Sequence, residues 1–296
     1  MRNVAINDVD HLPRRVLALG SDYPPNTLLE RHSHRRAQFL YAMHGLMKVE
    51  TDDGQWLVPP FSGVWIPATK PHRVWMPGVS THSLYIDARD APRESERCEV
   101  LQVSPLTHQL LLAACQLPLL YDESGRDAAL IALLLHELRA AAPLPMFTPL
   151  PQNSHLAALC GDFQRQPSIR STPQQWAQKL SKSVRTFNRL FRRETGMAFC
   201  DWRQQACLMY AMTALREGRS VTEVALSLGY EYPAAFTAMF RKAMGYSPMA
   251  FIRQINGGPA HATLLQSRIT RLRDAASRAA RPPRAAQARA MLAAPV

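Results

Sequence analysis

Residues 183–202 read SVRTFNRLFRRETGMAFCDW, and residues 232–251 read YPAAFTAMFRKAMGYSPMAF. At an offset of 49 positions, Phe187, Leu190, Phe191, Arg192, Arg193, Gly196 and Trp202 meet Phe236, Met239, Phe240, Arg241, Lys242, Gly245 and Phe251. Seven positions agreeing in type at one offset mark an internal repeat. A short helical pattern precedes each copy: Trp176, Ala177 and Leu180 before the first, Val224, Ala225 and Leu228 before the second. Ala225 stands four residues before Gly229. A small residue for close helix contact followed by a turn glycine is the pattern of a helix-turn-helix. In the first copy Ser181 stands where that glycine would be, a weaker turn signal.

Helical geometry assigns the faces. With Ser183 as N-cap, Val184, Phe187, Leu190 and Phe191 form one apolar stripe, and Arg185, Asn188, Arg189 and Arg192 share the opposite face, with Thr186 beside them. Arginine matches guanine, asparagine matches adenine, and further arginines hold phosphates, so this face suits major-groove reading. In the second copy the outward residues are Pro233, Ala234, Ala235, Thr237, Ala238 and Arg241. Their methyl groups can meet a thymine methyl and Arg241 a phosphate, but discrimination there is weak. The first helix is therefore expected to specify sequence and the second to anchor. Between them, residues 201–215 are expected to form a helix of about 22 Å. That length would allow the two recognition helices to sit about 34 Å apart, one turn of DNA.

Working outward, charge supports this reading. The 296 residues carry a formal net charge of +12, distributed as −2 over residues 1–150, +1 over 151–171, +7 over 172–256 and +6 over 257–296. A neutral half joined to a basic half is the footprint of one part docking on a polyanion while the other does something else. RNA is disfavoured because no stacking aromatics stand exposed among the basic residues. The five cysteines, odd in number and never two residues apart, argue against a disulfide framework or a zinc finger. With no signal peptide and no membrane span in the sequence, the expected location is the cytoplasm.

The length suggests two domains and the fold class expected is α+β. Residues 1–100 read as a cupin-like β-barrel: short runs rich in Val, Trp, Tyr and Leu, cut by Asp53-Gly54, Pro59-Pro60, Pro67 and Pro77-Gly78. Residues 101–142 read as a helical hairpin, with helices over 104–121 and 126–142, apolar on more than one face and suited to self-association. Residues 143–152, with Pro143, Pro145, Pro149 and Pro151, read as a semi-rigid linker. Residues 153–256 form the all-α double helix-turn-helix. The Ala- and Arg-rich tail, 257–296, is expected to be disordered in isolation and to add non-specific affinity for a polyanion.

The run from Ser171 to Gln254, and above all residues 221–248, VTEVALSLGYEYPAAFTAMFRKAMGYSP, resembles the AraC/XylS family of bacterial transcriptional regulators. The resemblance implies two helix-turn-helix units on a linker helix, binding to double-stranded promoter DNA, and an N-terminal effector-binding domain. By the family pattern Arg185, Asn188 and Arg189 face bases in the first unit and Ala234, Ala235, Thr237 and Ala238 in the second. Two positions depart from it: Cys207 stands where the linker helix usually carries Arg, and Tyr232 where a capping Ser usually begins the second recognition helix.

In the neutral half, His32, His34, Gln38 and His72 form a second constellation. Alternate residues on a strand point the same way, so His32 and His34 face together, and Gln38 with them. The spacing looks like the cupin motifs, with Gln38 where a Glu usually stands and Thr69 where a Gly does. Two or three imidazoles suit a divalent zinc, nickel, iron or copper ion. The other reading is that the imidazoles pack beside arginines and are satisfied by hydrogen bonds; His44 and His82 belong to that kind. Trp56, Trp65 and Trp75 either line an effector pocket, with Arg35, Arg36 and Arg73 near it, or pack the core. The expected function is effector-controlled promoter binding by a homodimer, with RNA polymerase as a further partner and no catalytic residues. The rival from another class is a metal-dependent cupin enzyme carrying a DNA-binding appendage.

Overall fold

The computed structural model describes residues 3–76 and 78–256. The expectations placed on residues 257–296 lie outside the described residues. After α1 (Ile6–Val9) come β1 (Val16–Tyr23), β2 (Thr27–His32), β3 (Ala37–Ala42), β4 (Met47–Thr51), β5 (Gly54–Val58), β6 (Ser62–Ile66), β7 (His72–Met76), β8 (Val79–Ile86) and β9 (Glu99–Gln102). The helices α2 (Pro105–Ala114) and α3 (Gly125–Ala140) follow, then β10 (Phe147–Pro149). The remainder is helical: α4 (Ser154–Arg165), α5 (Pro173–Lys179), α6 (Val184–Thr195), α7 (Phe199–Arg216), α8 (Val221–Ser227), α9 (Pro233–Met244) and α10 (Pro248–Asn256).

The strands form two five-stranded antiparallel sheets, β1-β8-β3-β6-β9 and β10-β5-β4-β7-β2. The chain crosses repeatedly between them, the double-sheet arrangement that cupins use. Alternation along each strand decides what each face buries. On β3, Leu40 points between the sheets with Val49, Trp56, Val64, Ile66, Val74 and Met76. Its neighbours Phe39 and Tyr41 point outward and, with Trp65 and Leu84, receive Leu111, Ile131, Leu134 and Leu138 of the α2–α3 hairpin. A strand covered on both faces reads as a continuous apolar run, which is why AQFLYA is buried throughout.

Two local expectations are corrected. Thr51 pairs with Gly54, so the hairpin loop is Asp52 and Asp53 and Gly54 opens β5. Its glycine serves close approach: a β-carbon there would run into the carbonyl of Thr148 on β10. The proline-rich stretch expected as a linker is instead zipped onto the sandwich. Phe147 pairs with Trp56 and Pro149 with Gly54, Leu150 N–H donates to Asp53 O (3.0 Å), and Leu144 N–H to Val100 O (2.7 Å). Proline lacks only the donor, so it is tolerated in an edge strand.

In the helical half Ser183 caps α6 where the sequence puts it, and two capping boxes join it. Ser183 Oγ accepts from Thr186 N–H (3.2 Å), and Thr172 with Gln175 and Ser220 with Glu223 form capping boxes. Ser181 takes the left-handed backbone (φ +52) that Gly229 takes in the second unit (φ +85), so the serine performs the glycine's turn. Gly229 is needed for a further reason: a β-carbon there would lie 2.9 Å from Ser168 Oγ. The 168–170 loop presses on that turn, with Ile169 N–H donating to Leu228 O (2.9 Å) and Arg170 Nε to Gly229 O (2.8 Å). This contact couples the two units directly. One apolar core runs from the sheets through Phe147, stacked on Trp56 at 4.4 Å between ring centres, into the Trp176–Trp202 cluster of the helical half.

Candidate functional site

Helix α6 buries Phe187 and Phe191 and leaves Arg185, Asn188, Arg189, Arg192 and Arg193 exposed. Arg193 is paired with Glu194 (3.0 Å). Among the described residues the side chains of Arg185, Asn188, Arg189 and Arg192 make no hydrogen bond or ion pair, so this face keeps three unneutralised cations and an amide. Thr186 is half-buried and its hydroxyl lies 2.9 Å from Ser183 Oγ, within the cap. On α9, Ala234, Ala235, Ala238 and Arg241 are exposed and Thr237 is half-buried. Tyr232, at the N-cap of α9, provides no side-chain cap and is 70% exposed. Both recognition helices end on a left-handed glycine, Gly196 and Gly245.

The second constellation also assembles. His32 ends β2 opposite His72, which opens β7, and His34 follows in the loop leading to β3. One ring nitrogen from each lies within 4.8 Å of the others. Each Nδ1 meets a backbone carbonyl: His32 to Glu30 (2.7 Å), His34 to Arg36 (2.6 Å), His72 to Lys70 (2.8 Å). A neutral imidazole donating from Nδ1 keeps a lone pair on Nε2, and a carbonyl partner fixes that tautomer in metal-binding histidines. Burial holds the pKa of His34 below its usual value and takes that of His72 down to about 4.

Two details show an acceptor-rich centre. His72 Nε2 is buried with no hydrogen-bond partner among the described residues. Gln38 Nε2 donates to Ser83 Oγ (3.2 Å) and Tyr85 OH (3.0 Å), which turns Oε1 toward His34 Nε2 at 3.1 Å. With the Gln38 amide in this orientation and His34 donating from Nδ1, two acceptors face each other beside an orphaned third, which a cation would reconcile. The chain's residues therefore fit a metal, and Ser83 and Tyr85, which the sequence did not single out, orient the Gln38 donor.

The tryptophans do not share a pocket. Trp56 lies between the sheets, Trp65 under the helical hairpin, and Trp75 under the guanidinium of Arg216 at 4.6 Å. The arginines near the motif are committed to carboxylates: Arg35 and Arg36 to Asp10, and Arg73 to Glu50. Arg35 and Arg36 share one carboxylate and Arg73 shares Glu50 with Lys48, so these cations are held in ion-pair clusters and do not line a pocket with the tryptophans. His82 is buried, and the five cysteines are free thiols.

Residues 16–161 match the profile of the AraC-like ligand binding domain, and residues 176–254 that of a helix-turn-helix domain. The chain belongs to the AraC family of transcriptional regulators. It is 29% identical over 224 residues to the HTH-type transcriptional regulator NimR of Escherichia coli, covering 76% of this chain and 82% of that one. RipA of Corynebacterium glutamicum is 28% identical over 103 residues, 35% of this chain and 31% of that one. Among solved structures, ToxT of Vibrio cholerae with a bound unsaturated fatty acid gives a TM-score of 0.35 at 10% identity, covering 82% of this chain and 96% of that one.

As an AraC-family regulator the chain binds DNA and carries a ligand-binding domain, and no helix among its described residues is long and apolar enough to cross a membrane. Its two departures from the family pattern have structural readings. Cys207 is fully buried in α7, its thiol pushed up to about 12 by burial, so its side chain packs in the core and does not reach the surface. Tyr232 leaves α9 without a side-chain cap, and Pro233 at the first helical position compensates in part by fixing φ.

Proposed function

We propose that α6 reads base edges in the major groove of a promoter and that α9 holds the adjacent turn mainly through its backbone and Arg241. The observation that carries this is the unpaired face of α6, Arg185, Asn188, Arg189 and Arg192, against the methyl-rich face of α9. At 1.5 Å per residue the eighteen residues of α7 span about 27 Å. That length supports a two-turn footprint on one side of the duplex. Arg189→Ala is expected to cost about 1–3 kcal/mol at a selected operator and to relax its specificity. Arg241→Ala is expected to weaken cognate and random duplexes alike and reduce the salt slope by about 1. Operator selection followed by titration at several salt concentrations checks both; equal losses on cognate and random DNA for the two variants would refute the division of labour.

The ligand-binding domain, in this reading, controls promoter occupancy through its effector in a cytoplasmic homodimer, with RNA polymerase as a further contact. Leu106 and Leu133 on the outer side of the α2–α3 hairpin, both exposed, support self-association there. We further propose that His32, His34 and His72 hold a divalent transition metal with Gln38 Oε1 beside them. Four protein donors close a tetrahedral ion, so its role is to clamp the ends of the two sheets and not to turn over substrate. His72→Ala is expected to lower zinc or nickel affinity by about tenfold or more and to abolish metal-dependent thermal stabilisation. A wild-type chain that takes up no zinc, nickel, iron(II) or copper(II) would sink this assignment.

A further inference from the structure

A cavity of about 380 Å³ lies where the ligand-binding domain meets the second helix-turn-helix unit. That volume falls in the range of small-molecule sites. Phe61, Ser104, Thr107 and Glu137 line it from the sensor side; Tyr246 and Gln254 line it from the DNA-binding side, just beyond the end of α9 and on α10. Its wall is mostly apolar, and among the described residues no Lys, Arg or His contributes to it.

Two polar groups in this wall, on Glu137 and Gln254, are acceptors in want of a donor, beside the hydroxyls of Ser62 and Tyr246 and the amide of Gln102. Glu137 Oε2 accepts from Ser104 Oγ (3.1 Å) and Thr107 Oγ1 (3.0 Å), which fixes the carboxylate. Its other oxygen has no partner among the described residues, and no cation neutralises it there. Gln254 is 5% exposed, and its buried Oε1 has no hydrogen-bond partner among the described residues. Phe61 adds an aromatic ring from a left-handed backbone conformation (φ +56) that a bulky residue rarely adopts. A held carboxylate, an orphaned amide oxygen and an aromatic ring in an apolar cavity select a positively charged hydrogen-bond donor and reject an anion.

We propose that this cavity is an effector site for a small, largely apolar nitrogen base bearing one positive charge. The proposal deepens the regulator reading above and rests on it for the effect on DNA. A ligand held between Glu137 and Gln254 ties the second unit to the sensor and biases where α9 stands relative to α6. By linkage, DNA and ligand then change each other's affinity by the same factor.

The test is calorimetry on the full chain with benzamidine, against benzoate and benzyl alcohol as anionic and neutral counterparts of similar size. Benzamidine is expected to saturate one site per chain while benzoate does not bind. Glu137→Gln and Gln254→Leu are each expected to weaken it by about tenfold or more. Gln254→Leu removes an orphaned acceptor, so its melting temperature should hold or rise, which separates loss of ligand from loss of fold. Benzamidine should also shift the Kd for a selected operator in the wild-type chain and not in Glu137→Gln. Benzoate binding as tightly, absence of saturable benzamidine binding, unchanged affinity in Glu137→Gln, or binding with no shift in operator Kd would each overturn the proposal. Because the calorimetry contains no DNA, failure of the wild-type chain to select any operator would count against the regulator reading alone.

Discussion

Replacing Trp202 with alanine is expected to cost about 3–5 kcal/mol and to disrupt DNA binding without touching a DNA-facing residue. Trp202 is fully buried on α7, with its ring centre 5.5 Å from that of Phe163, 5.6 Å from Phe191 and 5.8 Å from Trp176. It therefore backs α6 through Phe191 and α5 through Trp176, and alanine would leave a void that these rings cannot fill without moving. The indole also donates from Nε1 to the Pro149 carbonyl (3.4 Å), joining the helical half to the last strand of the sandwich. Trp202→Phe keeps most of the ring volume and loses that bond, so it should cost only about 1–2 kcal/mol. Denaturant unfolding measures both. An alanine loss near that of phenylalanine would mean the aromatic cluster relaxes around the gap.

Arg36→Leu is expected to cost about 3 kcal/mol, toward the lower end for a broken buried pair. The Arg36 guanidinium donates to Asp10 Oδ1 (2.8 Å), Arg14 O (2.8 Å) and Leu12 O (3.2 Å). Leucine fills much of the volume but leaves those acceptors without their donor, and Asp10 retains only Arg35. The loss stays at the low end because the Asp10 side chain is 22% exposed and water can solvate it. The segment from Asp10 to Arg15 should then loosen, and limited proteolysis should cut there first. The backbone of Arg36 also holds His34, so metal affinity should fall along with stability. A variant with unchanged stability and an intact N-terminal segment would show the network to be redundant.

What was legible in the sequence depended on what is local. The Ser183 cap was legible because capping requires only residues three apart, and the Phe187–Phe191 stripe follows from helical period alone. Ser181 was the weak point of the repeat, yet it holds a positive φ because the two flanking helices impose it. His32, His34, Gln38 and His72 were legible as a set from their spacing, but the expected alternation along one strand does not bring them together: His32 ends β2, His34 lies in the following loop and Gln38 stands on β3 of the other sheet. Their meaning was not legible, since it turns on Nδ1 partners and on the Ser83–Tyr85 support of Gln38, which are matters of register between strands. The tryptophans left pocket and core both open because aromatic residues announce burial without saying on which side of a sheet, and Trp56 and Trp65 took the core. The prolines misled because their composition speaks for extended chain, and an edge strand is extended chain with a neighbour. Glu137 and Gln254 gave no signal at all: each is an ordinary polar residue on a helix, and only the docking of the two halves brings them to a common wall.

The strand β10 limits how this protein can be recombined. Engineers who wish to give the DNA-binding half a new sensor would naturally cut in the proline-rich stretch, treating it as a joint. A cut there would strip β5 of its neighbour, expose the bare edge beside Gly54, and take away the carbonyl that Trp202 holds. Hybrids should keep 143–152 and its pairing edge, unless the incoming sensor's own last strand presents an acceptor where Pro149 stands. Otherwise the graft would be two folded pieces with no mechanical transmission between them.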